Sequence, residues 1–252
     1  MKKILKSSPP NVLTVFAYNY PRSLWDKKEN YFTNYNKGIL FKLLRERIFS
    51  TQGELCAYCE CKIVNSSKLR IEHINDKSNY NTSTKWIHNL HLDWNNIIGV
   101  CLGGQSPKNT LYPTPKNLSC DAFKAHKKIH YTEFLNPLDI QAFPSFFKFE
   151  KRSGKLQVDE DKCIEANIDS NLVEDTIINL NLNCDRLMTD RYEIFKSYNE
   201  EIKKARISNN KNIKTELAYK WFSQKYPSFF TTRRILLGKY AEDYLKENNY
   251  DG

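Results

Sequence analysis

The chain has 252 residues, of which 40% are hydrophobic and 27% charged, a balance usual for a globular chain that buries its own core. Lysine and arginine number 39 against 29 aspartate and glutamate, and the formal charge of +10 attracts polyanions, of which nucleic acid is the commonest. No stretch approaches the roughly 20 apolar residues of a membrane span, and the opening residues lack the apolar core of a secretory leader. We therefore expect no membrane association and a cytoplasmic location, where the seven cysteines serve as metal ligands, nucleophiles or buried side chains rather than disulfides.

Helix and strand patterns alternate through the first half of the chain. Residues 38–48 place apolar side chains at helical spacing with charged residues between them, which predicts an amphipathic helix. Residues 69–74 alternate apolar and polar and predict a short strand that ends near an acid–histidine pair. A second helix is predicted over residues 121–135, and an aspartate in its first turn suits the helix dipole.

The second half of the chain has a different character. Residues 145–158 predict a hairpin, because apolar runs flank a short Ser-Gly turn. Helical periodicity follows over residues 172–206, 214–222 and 233–247. The sequence therefore predicts an α+β fold that is predominantly helical.

Two cysteines separated by two residues provide the first chemical signal. Cys56 and Cys59 would place two thiolates on one tight turn, where both can bind a single Zn²⁺. Cys101 and Cys120 could complete a four-sulfur site, although 18 residues separate them, whereas the usual zinc pattern pairs two such turns. Buried free thiols are the alternative interpretation, and Cys61 lies close enough in sequence to replace one ligand.

An acid–histidine pair between the cysteines provides the second signal. The carboxylate of Glu72 can bind a hard cation such as Mg²⁺, and the imidazole of His73 can take a proton from water near neutral pH. Asn96 stands just before the third cysteine of the set, and Asp121 follows the fourth. An aspartate at a helix N-terminus can complete a metal site, and Lys124 one turn later can contact a phosphate.

This order of residues resembles the HNH (ββα-metal) nucleases that carry a zinc site. More narrowly, it is similar to the HNH subunit of Septu-type antiphage defence, and related subunits accompany some retrons. The resemblance covers about residues 1–135, and the remainder matches loosely. It rests on three runs: Cys56-Ala57-Tyr58-Cys59-Glu60, Ile71-Glu72-His73-Ile74 and Trp94-Asn95-Asn96-Ile97-Ile98.

The resemblance implies a role for each of these residues. His73 would be the general base, and Asn96 would brace the loop between the two strands of the core. Glu72 and Asp121 would bind a catalytic Mg²⁺ or Mn²⁺, and Lys124 would contact phosphate. Asp121 stands where the family usually has histidine or asparagine, a departure that bears on which metal is bound. Structural Zn²⁺ would be held by four residues: Cys56, Cys59, Cys101 and Cys120.

The resemblance also implies an organisation and a function. Residues 1–50 would be a helical lead-in, residues 51–135 a zinc-stapled HNH module, and residues 136–252 a hairpin plus mainly helical region that docks a partner. The protein would be a metal-dependent endonuclease that cleaves nucleic acid, and DNA is the favoured substrate. It would be the effector of an antiphage complex that includes an ABC/SMC-like ATPase. The alternatives are an RNA nuclease of the tRNA-cleaving type with the same site, and a non-catalytic zinc module that binds nucleic acid or protein.

Overall fold

The structure is a computed structural model, and it describes residues 1–25, 31–77, 89–105, 110–223 and 226–252. The predicted α+β class is confirmed, with short strands and many more helical residues. In chain order the elements are α1 Asn11–Asn19, α2 Ile39–Thr51, β1 Arg70–His73, β2 Ile97–Val100, α3 Cys120–Lys127, β3 Phe147–Phe149, β4 Leu156–Val158, α4 Glu160–Glu165, α5 Ser170–Asn179, α6 Asp185–Ile207, α7 Ile213–Phe222, α8 Phe230–Leu237 and α9 Lys239–Glu247.

Most of the predicted elements are present, but the helix predicted over residues 121–135 is too long. It ends at Lys127, because Lys128 has a left-handed conformation with φ of +58°. The amphipathic helix is α2, the short strand is β1, and the hairpin is the antiparallel pair β3–β4. The single helix predicted over residues 233–247 is wrong, because the chain breaks there into α8 and α9. Gly238 lies between them with φ of +55°, a left-handed conformation in which the helix cannot continue.

The first sheet pairs β1 with β2 in an antiparallel register, with Glu72 opposite Ile98 and His73 opposite Ile97. Every residue of β2 is buried. Gly99 allows this close packing, since a Cβ there would lie 2.5 Å from the Leu69 side chain. The side-chain amide of Gln52, at the end of α2, accepts from the Gly99 N–H at 2.7 Å and donates to the Gly99 carbonyl at 2.9 Å. The sheet is therefore fixed to α2 by both packing and hydrogen bonds.

The buried hydrophobic side chains of the described chain form three clusters. The largest cluster draws buried side chains from distant segments, among them Leu13, Ile48, Ile98, Phe147 and Leu187. The last three helices add two smaller clusters. None of the helices in the described part of the chain combines the length and apolar content that crossing a bilayer requires.

Glu60 joins the cysteine-rich turn to the C-terminal helices. Its carboxylate accepts the Thr231 N–H at 2.8 Å and the Thr231 hydroxyl at 2.6 Å. Its carbonyl accepts the Phe229 N–H at 2.8 Å. Both Glu60 and Thr231 are buried, and the carboxylate lies at the N-terminus of α8, where the helix dipole favours negative charge. The C-terminal helices are thus anchored one residue beyond Cys59.

Candidate active site and metal centre

Four buried cysteines form a cluster whose Sγ atoms all lie within 4.8 Å of one another. The Sγ distances are 3.8 Å between Cys56 and Cys120, 3.7 Å between Cys59 and Cys101, and 3.9 Å between Cys101 and Cys120. A tetrahedral zinc ion with zinc–sulfur bonds of roughly 2.3 Å has sulfur–sulfur edges of roughly 3.8 Å. The spacing of these thiols therefore fits a four-sulfur zinc site, and Cys61 lies outside the group.

The local backbone explains how the chain brings the four thiols together. In the first turn the Cys56 N–H donates to the Cys61 carbonyl at 3.0 Å, which closes a tight loop around both thiols. The long connection before Cys120 returns to the site because the Ser119 N–H donates to the Gly103 carbonyl at 3.0 Å. A Cβ on Gly103 would clash with the Ser119 carbonyl, so this approach requires glycine. An 18-residue separation is thus compatible with one compact site.

Two arginines of α6 lie close to this cluster, and the sequence patterns did not indicate them. Arg186 donates to the Ser119 hydroxyl at 2.8 Å, next to Cys120. Arg191 is buried and donates to the Gly154 carbonyl at 2.8 Å. Burial lowers the pKa of Arg191 to about 10, and the negative charge of Cys59 opposes that shift. Both guanidinium groups remain cationic and would balance the negative charge of four thiolates.

Glu72, Asp121 and Lys124 come together where β1 meets α3. The Lys124 ammonium contacts the Glu72 carboxylate, and it also donates to the His73 carbonyl at 3.4 Å. Burial raises the pKa of Glu72 to about 8, the negative charge of Asp121 adds to the rise, and Lys124 opposes it. Above about pH 8, two carboxylates and one ammonium therefore share this position, in which Glu72 and Lys124 are poorly hydrated.

His73 ends β1, and its ring orientation is set by its neighbours. Its Nε2 lies 3.1 Å from the His91 carbonyl oxygen. Because a carbonyl can only accept, Nε2 carries the proton and Nδ1 is the nitrogen with a free lone pair. The Trp25 ring lies edge-on at 4.6 Å between centroids. Burial lowers the pKa of His73 to about 3, so the imidazole is neutral at physiological pH and its Nδ1 lone pair is not occupied by a proton.

Asn96 connects the segment after β1 to the segment before β2. Its Oδ1 accepts the Asn75 N–H at 2.8 Å, and its Nδ2 donates to the Asn75 and Leu90 carbonyls, both at 3.0 Å. The neighbouring His91 is held by its own contacts, because its Nδ1 accepts the Trp25 N–H at 3.0 Å. These bonds position the carbonyl that binds the His73 ring.

The site opens into a groove of about 600 Å³ between β1 and α3. The structure brings four of the predicted site residues to its lining: Glu72, His73, Asp121 and Lys124. Asn96 is buried behind it. Sequence reasoning missed Tyr131, which lines the groove just after α3 and is exposed. Its place near the end of the helix that carries Asp121 was the only sequence signal for it.

The groove combines the carboxyl groups of Glu72 and Asp121, the neutral imidazole of His73 and the ammonium of Lys124. These are the groups that a metal-assisted hydrolase requires. No protein-family model matches the chain, and no solved structure matches it. An Escherichia coli protein named "Retron Ec83 putative HNH endonuclease" is 34% identical over 254 aligned residues, which cover 94% of this chain and 93% of that protein. A Vibrio cholerae serotype O1 biovar El Tor protein named "Retron Vc95 putative HNH endonuclease" is 30% identical over 105 residues, which cover 38% of this chain and 47% of that protein. The chain belongs to the family of retron HNH endonucleases.

Proposed function

We propose that this protein is a metal-dependent endonuclease that hydrolyses phosphodiester bonds of nucleic acid, and that its substrate is DNA rather than RNA. The observation that carries the proposal is the meeting of Glu72, His73, Asp121 and Lys124 in one groove. The unit formed by β1, β2 and α3, fixed by the cysteine cluster, would be the ββα-metal core of the HNH nucleases. The formal charge of +10 supports nucleic acid as the substrate, since the polyanion is attracted to a cationic protein.

Zn²⁺ would be bound by the four cysteines and would be structural. All four tetrahedral positions are taken by protein ligands, so no position is open for water or substrate. The cluster draws residues from the tight turn at Cys56 and Cys59, from the end of β2 and from the start of α3. Metal binding would therefore contribute directly to the folding free energy of the module.

A divalent Mg²⁺ or Mn²⁺ would be bound by Glu72 and Asp121. Carboxylate oxygens are the ligands that both ions prefer, and the position already accommodates one positive charge, the Lys124 ammonium. When bound, the ion would stabilise negative charge that develops on the phosphate and on the leaving oxygen. Having aspartate where the family usually has histidine or asparagine gives a harder donor set, which favours Mg²⁺ and Mn²⁺ over softer metals.

His73 would act as the general base. Its Nδ1 takes a proton from the attacking water, while the His91 carbonyl holds Nε2–H and stabilises the imidazolium that forms. Asn96 is a positioning residue, since its hydrogen bonds go to the backbone on both sides of this contact. Lys124 would contact a phosphate oxygen of the substrate, because its ammonium is a compact charge on a flexible stem.

The test is cleavage of DNA and RNA panels with Mg²⁺ or Mn²⁺ by the wild type, His73→Ala and His126→Ala. His126 is a matched control, because it lies on α3 but is exposed and does not line the groove. We expect His73→Ala to lose cleavage and keep its zinc, and His126→Ala to cleave normally. Full cleavage by His73→Ala would refute the assignment. Cleavage of RNA alone would establish the tRNA-type alternative. Binding without cleavage in every variant, lost in Cys56→Ser, would establish a non-catalytic zinc module.

We further propose that the protein is the effector of an antiphage defence complex, docked to an ABC/SMC-like ATPase through residues 136–252. Support for this role comes from the resemblance of the three sequence runs to the HNH subunit of Septu-type antiphage defence, and both relatives are named as retron HNH endonucleases. Ile207 and Tyr219 are the positions at which docking can be tested in this region, since 87% and 66% of their surfaces are exposed. Co-purification of the full chain with the ATPase should be lost in Ile207→Glu and retained in Ile39→Glu, where the exposed residue lies in α2. Equal binding by both variants would contradict this docking face.

A further inference from the structure

We propose that Lys124 is the resting counter-ion of the catalytic carboxylates and that it exchanges Glu72 for a substrate phosphate when the divalent ion binds. The inference rests on the proposed function, because it concerns the same site. It adds a consequence for binding: the divalent ion and the nucleic acid each strengthen the binding of the other.

The first support is the contact between Lys124 and Glu72. The two side chains expose only 14% and 9% of their surfaces, so neither charge is well hydrated. A buried charge needs a partner, and within the described residues the Glu72 carboxylate is the only acidic group in ion-pair contact with Lys124. The ammonium therefore occupies a position from which it neutralises the carboxylate that would bind the metal.

The second support is the placement of Asp121 and Lys124 on the same helix. They lie three residues apart in α3, so their side chains lie on neighbouring positions of one face. A divalent ion between the carboxylates of Glu72 and Asp121 would lie against the Lys124 ammonium and repel it. The ion and the ammonium cannot both keep Glu72 as a partner.

The third support is the space into which Lys124 can move. Lys124 itself lines the open groove, together with Lys128 and His130 on the same wall. Its four-carbon stem allows the ammonium to turn from the floor of the groove toward its mouth. A phosphate that enters the groove would give the displaced ammonium a new anionic partner. No bond is made or broken in this exchange, which is a change of ion-pair partner.

The exchange couples two binding events. In the free protein the divalent ion must displace Lys124 with no phosphate to receive it, so metal binding is weak. With nucleic acid in the groove the displaced ammonium is paired, so metal binding is tighter. Because coupling free energies are reciprocal, the metal must strengthen nucleic-acid binding by the same factor. The complete catalytic site would thus assemble only when substrate is present.

The test is Mn²⁺ binding to the zinc-loaded full chain, measured by isothermal titration calorimetry at pH 8. The variants are wild type, Lys124→Met and Lys127→Met. Lys127 is the matched control, because it is exposed on the same helix and does not line the groove. We expect Lys124→Met to bind Mn²⁺ roughly 5- to 150-fold more tightly than wild type, the usual range of coupling factors. Lys127→Met should match the wild type. Unchanged or weaker binding by Lys124→Met would overturn the proposal.

A second measurement guards against misfolding of Lys124→Met and separates this inference from the proposed function. In His73→Ala, Mn²⁺ should bind more tightly when a single-stranded oligodeoxynucleotide is present, after correction for ion binding to the oligonucleotide alone. Equal affinity with and without it would overturn the coupling. Glu72→Gln should lose Mn²⁺ binding if Glu72 is a metal ligand. Retained binding in Glu72→Gln refutes the proposed metal site, whereas its loss together with an unchanged Lys124→Met refutes only the counter-ion role.

Discussion

The hydrogen bonds of Asn96 allow a quantitative test of how the groove is held in shape. Asn96→Ala removes two bonds to the backbone of Asn75 and one to the Leu90 carbonyl, at a side chain that is only 4% exposed. At about 1 kcal/mol for each bond, the free energy of unfolding falls by about 3 kcal/mol. In a chain of this size each 1 kcal/mol lowers the unfolding midpoint by about 2–4 °C, so the expected decrease is about 6–12 °C.

The same substitution should also reduce catalysis at temperatures well below that midpoint. The Leu90 carbonyl precedes the His91 carbonyl that binds the His73 ring, so loss of the Leu90 bond loosens the orientation of the base. Lys124 does not contact Asn96, and its phosphate contact would be retained. We therefore expect kcat to fall while KM for the nucleic acid stays close to that of the wild type.

Thermal unfolding followed by circular dichroism, with zinc in excess, measures the first effect. Asn95→Ala is the matched control, because Asn95 is the exposed neighbour in the same turn, and a surface change of this kind shifts stability by no more than about 0.5 kcal/mol. Asn96→Asp keeps the acceptor for the Asn75 N–H but places a carboxylate oxygen against two carbonyls, so it should be at least as unstable as the alanine variant. A midpoint for Asn96→Ala within about 1 °C of the wild type would refute the bracing role.

The remaining predictions concern the cysteine cluster and its link to the C-terminal helices. Cys120→Ser should lose both its bound zinc, measured by elemental analysis, and its cooperative unfolding transition, whereas Cys61→Ser should keep both. A normal zinc content in Cys120→Ser would contradict the four-sulfur site. Glu60→Ala leaves two buried donors of Thr231 without an acceptor, and we expect the free energy of unfolding in urea to fall by about 2–6 kcal/mol, about 1–3 kcal/mol for each donor. Thr231→Val removes one of these contacts and should cost about 1–3 kcal/mol. A Glu60→Ala variant as stable as the wild type would show that the C-terminal helices are anchored elsewhere.

Local sequence patterns were sufficient for elements that local forces determine. The apolar spacing in residues 38–48 specifies α2, and the alternation before His73 specifies β1, because each pattern repeats with the period of its own structure. The two-residue spacing of Cys56 and Cys59 similarly forces both thiols onto one turn. The meeting of these thiols with Cys101 and Cys120 was predicted from their order along the chain, and it is present in the structure.

Contacts between distant segments could not be predicted in this way. Nothing near Arg191 in the sequence indicates that it lies beside the cysteines, since α6 is brought there by tertiary packing. The same holds for Trp25 and His91, which set the environment of His73 from two different segments. The pairing of Lys124 with Glu72 depends on how α3 lies on β1, a relation that helical periodicity alone does not contain.

The side-chain amide of Gln52 also limits what β2 can pair with. A short strand with an unpaired side is a template for strands of other molecules, and such pairing leads to aggregation. On β2 the backbone groups of Gly99 and the Ile97 carbonyl, which face away from β1, already have partners. The Gly99 N–H donates to Gln52, and the Gly99 carbonyl accepts from Gln52 and from the Ala57 N–H. The Ile97 carbonyl accepts from the Lys6 ammonium. Among the common side chains only an amide offers a donor and an acceptor side by side. Gln52 therefore acts as a stop on the β2 side of the sheet, where it leaves no free backbone groups at Gly99 for a third strand from a neighbouring molecule.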